Sequence, residues 1–215
     1  MLTVHTAPLV LPVGTPPVAA GAVAVDGERV VAIGPYDAVV DAHPTARVRR
    51  WPGVLTPGLR QWHGPALLTR CYHPDPREAD ELGEDPLSGA EFERLAARLD
   101  EPRRAGSVRR GLQRMLSHGT THLAGPFGDR TVRTAVARSG LVPVAGPPGG
   151  VPGEPDLDPF VHGRDLPGCA HGPLTVGGRA DLAVFDVPGE AELAEAGAGA
   201  CVATVLGGRL VHRRR

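Results

Sequence analysis

Over the first 55 residues, apolar and polar positions alternate in short runs broken by Gly and Pro, which is a strand pattern. Leu2–Leu11 is apolar and bounded by prolines. Ala22–Val25 and Arg29–Ile33 flank Asp26-Gly27, a pair suited to the left-handed backbone of a tight hairpin turn, so a β-hairpin is expected there. Val48–Trp51 and Val54–Leu55 predict short strands interrupted at Pro52-Gly53, and the chain then reads as irregular to Leu87. The period next changes from two to near four. Ser88 and Glu91 stand as a capping box ahead of Phe92, Leu95, Ala96 and Leu99, which share one helical face. Pro102 separates it from a second helix striped with Val108, Leu112, Met115 and Leu116, and Gly119 stops it. Thr120–Ala124 predicts a strand, Thr131–Ser139 a helix ended by Gly140, and Leu141–Ala145 another strand. Gly146–Pro173 has no periodicity and reads as a linker. Ala180–Val187 predicts a strand, and Cys201–Leu206 with Arg209–Arg213 a hairpin around Gly207-Gly208. Helices alternating with strands in the middle argue for βα units and a parallel sheet. The β-rich ends, each too small to bury a core alone, are expected to pair.

Composition narrows this picture. The 41 % hydrophobic content is enough for a packed core, and with 4 % aromatics the packing falls to Ala, Val and Leu. A formal net charge of −1 gives no electrostatic ground for nucleic acid or an anionic membrane as partner. No run approaches the length of a membrane helix, and nothing at Met1–Val13 reads as an export signal, so a soluble cytoplasmic protein is the expectation. Cys71, Cys169 and Cys201 are too few and too scattered for a disulfide framework. All 23 basic residues are Arg, so lysine chemistry is closed to this chain.

Four stretches in order resemble the amidohydrolase superfamily. Ala22–Gly34 (AVAVDGERVVAIG) is similar to its N-terminal hairpin, Leu55–His63 (LTPGLRQWH) to the segment entering the first barrel strand, and Leu116–His122 (LSHGTTH) to the second barrel strand. Gly177–Asp186 (GGRADLAVFD) with Val202–His212 (VATVLGGRLVH) is similar to the C-terminal return. The nearest likeness is to imidazolonepropionase and aminodeoxyfutalosine deaminase, in which both chain ends build a composite β-sandwich beside a TIM barrel. The resemblance therefore implies an α/β fold: a composite sandwich from residues 1–55 and 174–215, a truncated barrel of roughly three βα units over 56–145, and a Pro/Gly-rich linker over 146–173. A barrel cut to that size has open sheet edges, so a homodimer or heteromeric partner covering them is expected.

The resemblance also implies a metal site, and here the chain departs from the pattern. The family's H-x-H puts two imidazoles on one face of a strand, but this chain reads His63-Gly64-Pro65, and proline offers no lone pair. The later ligands, a carbamylated Lys or Glu, two His and an Asp, belong to strands with no counterpart here. His63, His118 and His122 are the candidates for a remnant zinc site, against the alternative that they are polar loop-end residues. No cofactor is expected, and zinc is the metal such a set would take. Cys71-Tyr-His73 with Cys169-Ala-His171 is a second candidate metal set, and Cys71 with His73 a candidate thiolate nucleophile. The acidic run Asp75, Glu78, Asp80, Glu81, Glu84 and Asp85 reads as a solvated loop, and Gly146–Gly150 lacks the Lys and helix start of a phosphate loop. The expected function is a non-hydrolytic amidohydrolase-like protein that binds a ligand or partner or persists as a remnant. The alternative is a metal-dependent hydrolase or deaminase of non-peptide C–N bonds with a rebuilt or subunit-shared zinc.

Overall fold

The computed structural model describes residues 1–147 and 150–214, so the Gly146–Gly150 stretch and the Arg213–Arg215 tail fall partly outside the described residues. The chain is mixed α/β and divides into two compact units. One comprises Met1–Arg60, Leu116–Thr121 and Asp158–Arg215, and the other Gln61–Met115 and His122–Leu157.

The first unit is organised by one sheet, in the order β11-β10-β9-β5-β1-β2-β3, with β4 also on β1. Its strands are β1 (Thr3–Val10), β2 (Val18–Asp26), β3 (Arg29–Pro35), β4 (Arg47–Arg50), β5 (Val54–Pro57), β9 (Leu182–Phe185), β10 (Cys201–Leu206) and β11 (Arg209–Arg213). N- and C-terminal strands therefore share a sheet, joined where β5 runs antiparallel to β9 with Val54 opposite Phe185. Both predicted hairpins form, β2–β3 through Asp26-Gly27 and β10–β11 through Gly207-Gly208.

The sheet is buried on both faces, which is why β9 is apolar throughout rather than alternating. Leu182 and Val184 join Val23, Val25, Leu55 and Val205 in one core, while Ala183 and Phe185 face the opposite way. That second face is covered by α7 (Phe160–Gly163), α8 (Leu166–Cys169) and α9 (Glu190–Ala196), which supply Phe160, Leu166 and Leu193. The outer side of β2 packs against α1 (Tyr36–Ala42) through Ala22, Ala24 and Val39. The stretch read as a linker thus carries two one-turn helices that bury Phe160, Leu166 and Cys169, while Val161 faces solvent. A single turn is too short to show a helical period, so the sequence pattern could not reveal them. The sheet also curls: the Val30 N–H donates to Gly178 O at 3.0 Å and the Ala180 N–H to Glu28 O at 2.8 Å, tying the β2–β3 tip to the segment before β9. Gly208, at φ +75°, lies against the Gly27 carbonyl, and a Cβ there would collide with it.

The second sheet has the order β6-β7-β8, with β6 at Leu59–Gln61, β7 at Thr120–Gly125 and β8 at Val142–Ala145. β7 and β8 run parallel, joined by α6 (Arg130–Ser139), which makes a βαβ unit. Asp129 caps α6 by accepting the Val132 N–H at 3.0 Å, Val132 and Val136 turn inward, and Gly140 ends the helix at φ +82°. The other helices are α2 (Gly64–Thr69), α3 (Ala79–Leu82), α4 (Gly89–Ala96) and α5 (Glu101–Ser117). The expected stripe on α5 is largely realised, with Val108, Leu112 and Met115 buried. The capping box expected before α4 is not. Ser88 occupies the N-cap position but makes no side-chain cap hydrogen bond, and no residue of α4 is fully buried. Among the described residues, no helix is long and apolar enough to cross a membrane.

Candidate functional site

His63 was expected on a strand, with Pro65 in the place of its ligand partner. The structure ends the strand earlier. β6 stops at Gln61, and His63 is the N-cap residue of α2, with Pro65 in that helix's first turn, where its missing N–H costs nothing. The H-x-H geometry, which needs extended backbone at both positions, is therefore replaced by a helix start.

The surroundings of His63 explain what it does instead. Gln61 Nε2 donates to the carbonyls of Asp156 and Leu157 at 3.1 and 2.9 Å, while its Oε1 accepts the His63 N–H at 2.9 Å. The Asp156 N–H in turn donates to His63 Nδ1 at 3.0 Å. Gln61 and His63 together clasp the backbone of the Asp156–Leu157 segment. Gln61 escaped the sequence reading because its role depends on a segment more than ninety positions away, with no local spacing signal. The clasp also fixes the tautomer of His63. A neutral imidazole has one bare and one protonated nitrogen, so accepting at Nδ1 places the proton on Nε2. Metal-bound histidines do the reverse, donating through the nitrogen that does not bind. The donor set therefore does not fit a zinc bound through Nε2 of His63.

The other two candidates lie elsewhere in the chain. His122 is on β7, 8 % exposed, in the same unit as His63. His118 belongs to the first unit, in the turn between α5 and β7, where Ser117 Oγ lies 3.4 Å from its Nδ1. Among the described residues, no three His, Cys, Asp or Glu side chains gather as a metal-binding group.

Of the Cys-x-His pairs, Cys71, His73 and Cys169 are buried in packing, whereas His171 is exposed. His73 is fully buried, its Nε2 donating to the Leu67 carbonyl at 2.9 Å, and its backbone N–H is held by Ser107 Oγ at 2.8 Å. Gly111 of α5 makes room for the ring, since a Cβ there would stand 2.6 Å from Nε2. Burial lowers the His73 pKa to about 4. It pushes the Cys71 thiol up to about 11 and that of Cys169 to about 12, the opposite of an activated nucleophile. The acidic run is partly consumed in structure. Asp75 and Glu78 cap a 3₁₀ turn, and Glu78 accepts from the Tyr72 hydroxyl and pairs with Arg103, both at 2.7 Å. Asp75 pairs with Arg110 at 3.2 Å. A cavity of about 210 Å³ in the second unit is walled by Leu68, Cys71, Tyr72, Phe92, Leu99 and Val108. The guanidinium at its edge, Arg104, is already paired with Asp129 at 3.1 Å.

With this geometry in hand, residues 21–46 match the family model described as the imidazolonepropionase-like composite domain of bacteria. The amidohydrolase-like resemblance is thereby shown at the N-terminal element. A search of curated proteins finds no match. Among solved structures, the chain is similar to an E. coli guanine deaminase (TM-score 0.47, 15 % identity, covering 67 % of this chain and 36 % of that one). It is also similar to a zinc-bound adenosine deaminase from Xanthomonas campestris (TM-score 0.46, 20 % identity, 66 % and 33 %). A third likeness is to an A. niger ochratoxinase (TM-score 0.43, 17 % identity, 66 % and 29 %). The chain spans about a third of the length of these proteins, and likenesses at this level carry no functional argument.

Proposed function

We propose that this chain is an amidohydrolase-like protein that does not hydrolyse C–N bonds and instead binds a ligand or partner. The observation that carries this reading is the hydrogen bond from the Asp156 N–H to His63 Nδ1. A hydrolytic zinc needs about three neutral or anionic ligands and an open position for water. The one inherited histidine is held in the tautomer that cannot bind through Nε2, and backbone is clasped against its other nitrogen. Without the metal, water near neutral pH stays far from hydroxide, and a stable amide or amidine meets no nucleophile.

The same reading takes the curled sheet of both chain ends as the composite sandwich and places the protein in the cytoplasm. The outer edges of the β6-β7-β8 sheet would be covered by a second copy or another protein. Elemental analysis of protein purified without a polyhistidine tag tests the core of the proposal. Less than about 0.1 zinc per chain is expected. About one zinc per chain, lost in the His63→Ala, His122→Ala double variant, would establish the hydrolase or deaminase alternative in its place.

A further inference from the structure

The curled sheet carries a concentration of positive charge that the proposed function does not use. In β4, Arg47 and Arg49 stand opposite Thr3 and His5 of β1 in parallel register. Thr3 and His5 are themselves paired with Val25 and Val23, whose side chains lie in the inner core, so this parity of β4 belongs to the inner face of the sheet. Trp51, two residues after Arg49, has the same parity; its side chain joins that core, and its Nε1 donates to His5 Nδ1 at 3.1 Å. On the far strand, Arg213 of β11 pairs with Ala203, also an inner-core residue. Its guanidinium lies 5.7 Å from the centre of the Trp51 ring. Three arginines from two strands distant in sequence are thus brought to one end of one face, around Trp51.

Among the described residues, no carboxylate forms an ion pair with Arg47, Arg49 or Arg213. This contrasts with Arg103, Arg104, Arg110 and Arg179, each of which has one. The three feel one another: the Arg49 guanidinium is held below its ordinary pKa by burial first, then by Arg47 and Arg213. Like charges placed together repel in the free protein, and an anion between them relieves the repulsion. Guanidinium forks suit oxyanions whose oxygens are spread over more than one centre, because each fork can take two oxygens.

We propose that Arg47, Arg49 and Arg213 form a binding site for a small phosphate-bearing molecule at the end of the inner face of the sheet. The probe is inorganic pyrophosphate, titrated calorimetrically into the full chain at about 50 and 200 mM salt. Saturable binding is expected at the lower salt and weaker binding at the higher. The Arg49→Gln, Arg213→Gln double variant is expected to lose about tenfold or more in affinity, and Arg138→Gln on α6 to stay unchanged. Arg47→Glu, at the exposed end of the cluster, is a second variant that leaves Trp51 and its neighbours in place, and it should weaken binding in the same way. The proposal is overturned if the wild-type chain does not bind pyrophosphate, or if both variants bind it as tightly as wild type. Preference for a single-stranded DNA oligonucleotide over pyrophosphate at equal phosphate concentration overturns it as well, in favour of a nucleic-acid surface.

Discussion

Protonating His73 should cost the fold more than protonating any surface histidine. The ring is sealed in the second unit with no exposed surface. Its Nε2–H donates to the Leu67 carbonyl, and Nδ1 is buried with no hydrogen-bond partner among the described residues. A second proton would therefore create a buried N–H without an acceptor, close to the guanidiniums of Arg110 and Arg114. Burial, with a smaller contribution from those arginines, lowers the pKa from 6.5 to about 4. The sign follows from which state takes up the proton. Between pH 6.5 and 4 the unfolded chain carries it and the folded chain does not. The stabilisation is therefore complete above pH 6.5 and is lost as the pH falls through about 4. A gap of that size corresponds to about 3 kcal/mol. His73→Gln is the matched variant, since its amide can still donate to the Leu67 carbonyl but does not titrate. Urea denaturation at a series of pH values from 7 down to 4, followed by a probe in the second unit, should show wild type losing about 3 kcal/mol more than His73→Gln. Parallel stability profiles for the two proteins, or an NMR titration of His73 with a midpoint above pH 6, would refute the argument.

Gly111→Ala should destabilise by more than about 1 kcal/mol despite the better helix propensity of alanine, because the new Cβ meets the His73 ring at 2.6 Å. A thermal or urea comparison with the Gly111→Ala, His73→Ala double variant should recover part of that loss. Asp129→Ala should cost about 1 kcal/mol through the lost cap of α6, whereas Ser88→Ala should stay within about 0.5 kcal/mol because its hydroxyl caps nothing; chemical denaturation separates the two. Cys71 and Cys169, whose thiols burial raises to about 11 and 12, should be silent to a thiol reagent near pH 8 in the native protein and react at once in denaturant.

The parts of this fold legible in the sequence are those written in short-range chemistry. Asp26-Gly27 and Gly207-Gly208 mark their hairpins because the turns need left-handed backbone, and Gly140 marks the end of α6 for the same reason. The α5 stripe is readable because Val108, Leu112 and Met115 recur at the helical period and one side of the helix is buried. Before α4 the tertiary context overrides the local signal. Ser88 and Glu91 have the spacing of a capping box, yet α4 packs shallowly and the box does not close. At the candidate site, the sequence could show that the position after Gly64 is no ligand, but not why His63 itself is unfit. That depends on Asp156, whose backbone reaches His63 only in the folded chain.

The pairing of β5 with β9 has a consequence for how the protein comes to exist. During synthesis β5 emerges with β1 to β4, but the strand that satisfies its other edge is made well over a hundred residues later. Until then a fully buried, mostly apolar strand, Val54–Pro57, presents unpaired backbone to whatever it meets. Unless a chaperone or the emerging chain shields that edge, the nascent protein passes through a window in which a neighbouring polypeptide can take the place of Leu182–Phe185. The yield of correctly assembled molecules then depends on how quickly the ribosome delivers the last strands.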